Sequence, residues 1–126
     1  MAKPTCGCQG GTKMTLACAG ASNVGQMTNE VAKRLDTAGQ ANYFCLAGVG
    51  GHISGMVESV KGADTVLVLD GCDMACAKKT MEAAEIADYE YLVVTDLGIE
   101  KVHAFDTPAE QLRTVQEKAS ALLKKG

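Results

Sequence analysis

The sequence contains no tryptophan, only two phenylalanines and three tyrosines in 126 residues. A core without large rings must be filled by Ala, Val, Leu, Ile and Met. With 47 % of residues apolar there is enough of that material for one domain. No apolar run approaches the roughly 20 residues that a membrane-spanning helix needs. The first residues, Met1-Ala2-Lys3-Pro4-Thr5-Cys6, lack the apolar stretch of a secretory signal, so the expected location is the cytoplasm. Basic clusters are also missing. Twelve Lys and Arg against fifteen Asp and Glu leave a net charge of −3, which gives nucleic-acid binding no electrostatic support.

What the chain does have is cysteine, six in all: Cys6, Cys8, Cys18, Cys45, Cys72 and Cys76. In a secreted mini-protein six would suggest three disulfides. In a reducing cytosol they serve a metal or redox chemistry more often, and the plainest alternative is that each is a small buried apolar residue. None belongs to a Cys-x-x-Cys knuckle, the usual local mark of a zinc ribbon. Any site must therefore be assembled by the fold.

The strongest single stretch is Thr65 to Lys79. Val66 to Leu69 is short, apolar and β-branched, as in a strand buried on both faces. Asp70-Gly71 breaks it, and the spacing of Cys72 and Cys76 predicts that both lie on one face of the first turn of a helix. Before it, Met14 to Ala19 reads as a first strand. A helix from about Val24 to Ala38 follows, with Ser22 or Asn23 as its cap and Gly39 as its stop. Asn42 to Ala47 reads as a second strand, and a helix from Ile53 to near Gly62 follows it. Tyr89 to Thr95 is a fourth strand. Thr107-Pro108-Ala109-Glu110 then opens a last helix with Leu112, Val115, Ala119 and Leu122 on one face.

The order is βαβαβαβα. It predicts a single three-layer α/β domain over residues 13–126, with a mostly parallel four-stranded sheet and helices on both faces (Rossmann-like or flavodoxin-like). Residues 1–12, rich in Gly and Cys, read as a flexible arm. Its Cys6-Gly7-Cys8 either reaches a metal held elsewhere or does nothing structural.

In a parallel sheet all carboxyl ends of strands share one edge. Cys18, Cys45 and Cys72 fall at the ends of three successive strands, and Cys76 one helical turn beyond the third. Random core cysteines have no reason to choose that edge. Four thiolates suit tetrahedral zinc or an iron–sulfur cluster, and helix N-termini nearby favour the thiolate form. His52, just after the second strand, reads as an alternative ligand, a proton carrier or a helix cap. His103 has less to recommend it. Asp70 either supports a ligating group from behind or shapes its turn.

Three segments carry a family resemblance: Cys18-Ala-Gly-Ala-Ser-Asn-Val-Gly25, Phe44-Cys45-Leu-Ala-Gly-Val-Gly-Gly51-His52, and Asp70-Gly71-Cys72 followed by Cys76-Ala77-Lys78. They resemble the DGC-domain proteins, named for that Asp-Gly-Cys, and Asp96 to Lys101 is similar to a further segment of that family. The resemblance runs from about Met14 to the last helix. It implies zinc binding through four cysteines that correspond to Cys18, Cys45, Cys72 and Cys76, and it implies no reaction.

The leading expectation is thus a small cytoplasmic metal-binding protein with Zn2+ on those four thiolates and no nucleic-acid or membrane partner. An iron–sulfur cluster carrier is one alternative. A thiol redox protein using Cys72 and Cys76 is another, although their spacing is Cys-x-x-x-Cys. Phosphoryl chemistry at Cys18 is a third. The tyrosine phosphatases that share such a loop place Arg six residues after their Cys, where this chain has Val24. Whether any turnover occurs is left open by the sequence.

Overall fold

A computed structural model describes residues 12–125. Four parallel strands, β1 (Lys13–Ala17), β2 (Asn42–Tyr43), β3 (Thr65–Asp70) and β4 (Glu90–Val93), form one sheet in the order β2-β1-β3-β4. The helices are α1 (Asn23–Thr37), α2 (Leu46–Gly50), α3 (Ser54–Lys61), α4 (Cys76–Ala83) and α5 (Ala109–Lys125), and a 3-10 turn (Val94–Leu97) follows β4. This is the expected three-layer α/β architecture. No helix among the described residues is long and apolar enough to cross a membrane.

Side-chain alternation along the strands builds two cores. Ala17, Leu67, Leu69 and Leu92 face α1 and α5, where they meet Val24, Met27, Val31, Leu35, Leu112, Val115, Ala119 and Leu123. Met14, Leu16, Val66 and Val68 face the other way, onto Val49 of α2, Val60 of α3, and Ala77 and Met81 of α4. All six residues of β3 are buried, as its unbroken apolar run requires of a strand covered on both sides. Burying one such Leu or Val is worth about 1.5–3 kcal/mol, so the cores, rather than the few polar contacts, hold the layers together.

Two expected boundaries are corrected by the structure. β2 is only two residues long, and Cys45 is the extended residue that caps the short helix α2 rather than the end of a strand. Cys72 is not helical: α4 begins at Cys76, so the two cysteines do not share a helix face. At the amino end, Thr12 is tied into the fold, its N–H donating to Asp64 Oδ2 at 2.7 Å and its carbonyl accepting from Thr65 N at 3.1 Å. Cys6 and Cys8 lie outside the described residues.

The strand order places the topological switch between β1, whose chain leaves toward β2, and β3, whose chain leaves toward β4. Open α/β sheets carry ligands in the crevice at that point. Here glycine closes it. A Cβ on Gly71 would stand 2.7 Å from Gly25 N, and one on Gly25 would stand 2.5 Å from Gly20 O. The loops after β1 and β3 therefore pack backbone to backbone against the start of α1. Any larger residue in place of Gly71 would force them apart.

Candidate functional site

The carboxyl edge of the sheet holds the expected cysteines. Cys18 follows β1 directly, Cys45 lies two residues beyond β2, Cys72 two residues beyond β3, and Cys76 opens α4. All four are free thiols; Cys18 and Cys72 are half-buried, Cys45 and Cys76 exposed. They share an edge but not a point. Cys18 packs against the core under α2 and α4, whereas Cys72 packs against the core under α1 and α5. Among the described residues no three Cys, His, Asp or Glu side chains stand close enough together to hold one metal ion. The donor set thus suits a soft ion in kind and in location, while closing a shell around it requires the edge loops to move.

Cys18 and Cys45 share a cavity of about 460 Å3, which is also lined by Tyr43, Phe44, Ala47 and Thr80. It opens on the outer side of β1, away from the glycine-filled switch point. Cys18 Sγ lies 3.7 Å from the hydroxyl of Thr28, which donates to Gly25 O and accepts from Ala19 N. Tyr43, on the cavity wall, donates to Asn29 Oδ1 at 2.8 Å. Burial raises its pKa above the usual value, and the charges of Cys45, Cys18 and Glu30 add to the effect.

Cys72 has a different neighbour. Lys101 Nζ donates to Cys72 Sγ at 3.4 Å. The lysine reaches it because Asn23, the buried first residue of α1, fastens the loop that carries it. Asn23 Nδ2 donates to Glu100 O, its Oδ1 accepts from Val102 N, and its own N–H donates to Val102 O. The capping of α1 falls instead to Ser22, whose Oγ accepts from Gly25 N at 3.0 Å. The part Asn23 plays in placing Lys101 escapes sequence reasoning, because the groups its side chain holds lie 77 and 79 positions away. Lys101 does close the Asp96–Lys101 segment noted for its resemblance, which is the signal that was available.

Asp70 neither faces a metal ligand nor merely bends a turn. It is 1 % exposed, and its carboxylate accepts from Ala77 N (2.7 Å), Lys78 N (3.0 Å) and Tyr91 Oη–H (2.7 Å). It is a cap for α4 supplied from the preceding strand, satisfying N–H groups that the first turn of a helix leaves unpaired. Lys78 Nζ sits 5.5 Å over the Tyr91 ring. Burial, and then the hydrogen bond to Asp70, push the Tyr91 hydroxyl far above its usual pKa.

The rim itself is strained. Ala19 (φ 49°), His52 (φ 57°) and Ala75 (φ 59°) adopt left-handed backbone without being glycine. Ala19 directly follows Cys18 and Ala75 directly precedes Cys76. His52 ends the α2 turn, its N–H donating to Val49 O. His103 stands edge-on to Phe105 with ring centres 5.5 Å apart.

Comparison with known proteins accords with the motifs. No solved structure matches the chain. A curated relative from Pseudomonas aeruginosa, "Anaerobic and virulence modulator AnvM", is 33 % identical over 113 residues, covering 90 % of this chain and 86 % of the relative. The family model described as DGC domain matches residues 14–119. The chain belongs to the DGC-domain family.

Proposed function

We propose that this protein binds a soft metal ion, zinc, through the thiolates of Cys18, Cys45, Cys72 and Cys76. The carrying observation is the delivery of four free thiols to one edge of the sheet by the segments that follow three strands and by one helix start. Zinc is suited to four sulfur donors and supplies tetrahedral coordination without redox chemistry of its own. Lys101 beside Cys72 supports the reading, because a four-thiolate centre with a divalent ion carries excess negative charge that an ammonium group offsets. The thiols are not gathered in advance, so binding is coupled to rearrangement of the loops after β1, β2 and β3. Such coupling suits a protein that reports or hands on an ion. The Pseudomonas relative is named a modulator, and we extend a regulatory use of the site to this chain on that basis.

The test is anaerobic purification followed by elemental analysis, thiol counting and competition with a chromophoric chelator. The expected result is one zinc per chain and protection of the four thiols from alkylation. Each of Cys18→Ser, Cys45→Ser, Cys72→Ser and Cys76→Ser should weaken zinc binding by about tenfold or more. A protein that takes up no zinc and releases no protons on its addition overturns the proposal. A brown protein with iron and sulfide would assign the same thiols to a cluster instead.

A further inference from the structure

β1 is paired with β3 along its whole length but with β2 only at Met14 and Thr15. In parallel ladders the peptide groups of alternate residues turn to alternate sides. Cys18 N donates to Leu69 O at 3.0 Å, which turns the even-numbered residues of this segment toward β3; Phe44 N donates to Thr15 O at 2.9 Å, which turns the odd-numbered ones toward β2. Ala17 therefore presents its N–H and its carbonyl to the β2 side. By that level β2 has ended at Tyr43 and the chain has turned into α2. Among the described residues no backbone group beyond the end of β2 pairs with either group of Ala17. Ala17 is only 4 % exposed, and a buried peptide group without a partner is rare because it forgoes a hydrogen bond that water would give.

Ala17 also lines the cavity of about 460 Å3 that holds Cys18 and Cys45. The volume falls within the range of small-ligand pockets, and such pockets are apolar with a few placed polar groups. Here the apolar part is Tyr43, Phe44 and Leu46, and the polar part is one unpaired donor–acceptor pair with two thiols beside it. A donor and an acceptor on one strand residue are what an added strand recognises.

We infer that this slot takes a short cysteine-containing peptide in extended form. Its peptide group pairs with Ala17 where β2 stops short, and its thiol lies against Cys18 and Cys45. The backbone pairing stands without any metal. The thiol preference rests on the metal reading, in which the peptide's thiolate takes the place of one of the four protein thiolates around the ion.

The probes are the blocked tripeptides acetyl-Gly-Cys-Gly-amide and acetyl-Gly-Ala-Gly-amide, titrated into isotope-labelled full-length protein before and after loading with zinc. In the metal-free protein both peptides should shift the Ala17 amide resonance. Ala47→Trp, an exposed substitution at the cavity wall, should weaken that binding by about tenfold or more while leaving the rest of the spectrum in place. In the zinc-loaded protein the Cys peptide should bind about tenfold or more tightly than the Ala peptide. If neither peptide moves the Ala17 resonance, or if Ala47→Trp binds both as the parent does, the slot is overturned. If zinc is bound and the two peptides remain equal, the thiol preference is overturned. If the protein takes no zinc while both peptides still shift Ala17, the slot is upheld and the metal reading alone fails.

Discussion

Asp70 and Cys72 are separated by one glycine, yet they belong to opposite kinds of structure. Asp70 sits in a closed knot. Its carboxylate is buried, three donors converge on it, and a lysine covers the ring of one of them. Cys72 sits on an open rim, half-buried against the core under α1 and α5 with Lys101 as its one side-chain hydrogen-bond partner among the described residues, and with half-buried or exposed thiols on either side. In the knot every polar group already has its partner in the folded chain. On the rim the groups with the strongest appetite for a ligand are left with little or nothing. Gly71 lets the two coexist, since its lack of a side chain allows the β3–α4 loop to rest directly on the start of α1. The knot fixes the place where the rim stands, and the rim remains free to change.

The comparison is broken most severely at Asp70. Asp70→Ala leaves the N–H groups of Ala77 and Lys78 and the hydroxyl of Tyr91 without their acceptor, the first in a buried setting and the other two partly buried. Charge-assisted hydrogen bonds of this kind are worth about 1.5–3 kcal/mol each, so a loss of about 3 kcal/mol or more is expected in urea unfolding at neutral pH. Asp70→Asn keeps one acceptor oxygen and should cost about half as much. A cysteine on the rim behaves in the opposite sense. Cys72→Ser should change unfolding by about 1 kcal/mol or less, in keeping with a half-buried side chain at the margin of the core. If the two substitutions destabilise equally, the division between knot and rim is wrong.

Tyr91→Phe is the next smaller break, and pH sharpens it. The hydroxyl is neutral in the fold and its pKa is raised, by burial first and by Asp70 second. A group whose folded pKa lies above its unfolded value binds its proton more tightly when folded. Its contribution is therefore complete below the unfolded value, near 10, and is lost as pH rises beyond that. The parent protein should lose stability steadily above about pH 10, and Tyr91→Phe should show a shallower decline. The decline will not vanish, because burial also raises the pKa values of Tyr43 and Tyr89. At neutral pH the lost hydrogen bond should cost about 1–2 kcal/mol. Urea midpoints measured from pH 7 to 11 would reveal a parallel pair of curves if Tyr91 were not the titrating group.

The layer order, the parallel sheet and the common edge of Cys18, Cys45 and Cys72 were legible in the sequence because they follow from periodicity and from chain direction alone. The two misplaced boundaries have local causes. Tyr43-Phe44-Cys45-Leu46 is as apolar as a strand, but Cys45 is followed by Ala47, Gly48 and Gly50, small residues that let α2 form close to α4. Cys72 and Cys76 have helical spacing, but the acceptor that fixes the first turn of α4 is Asp70, and its carboxylate is bonded to Ala77 and Lys78. The helix starts where that cap allows, not where the pair of thiols suggests. Local rules make both Ser22 and Asn23 candidates for the α1 cap; Ser22 fills that role, and the partners of the Asn23 side chain lie 77 and 79 positions away. Long-range hydrogen bonds leave no trace in periodicity, so the clamp that brings Lys101 to Cys72 could only be seen in three dimensions.

The smallest expected effect lies at the hinge between knot and rim. Ala75 has a left-handed backbone, its N–H donates to Cys72 O, and its carbonyl accepts from Lys79 N. It links the rim cysteine to the helix that Asp70 caps. A left-handed alanine costs about 1 kcal/mol that glycine does not incur, while glycine loses about 0.5–1 kcal/mol more backbone entropy on folding. These nearly cancel, so Ala75→Gly should alter stability by about 0.5 kcal/mol or less, with stabilisation favoured. Zinc affinity is where the substitution should be felt. If the alanine holds the Cys72–Cys76 loop in a conformation ready to receive an ion, freeing it should weaken zinc binding even though the fold is unharmed. Chelator competition on Ala75→Gly and its parent measures that difference directly. Equal affinities would mean that the strain at Ala75 belongs to the α4 cap alone and plays no part in the rim.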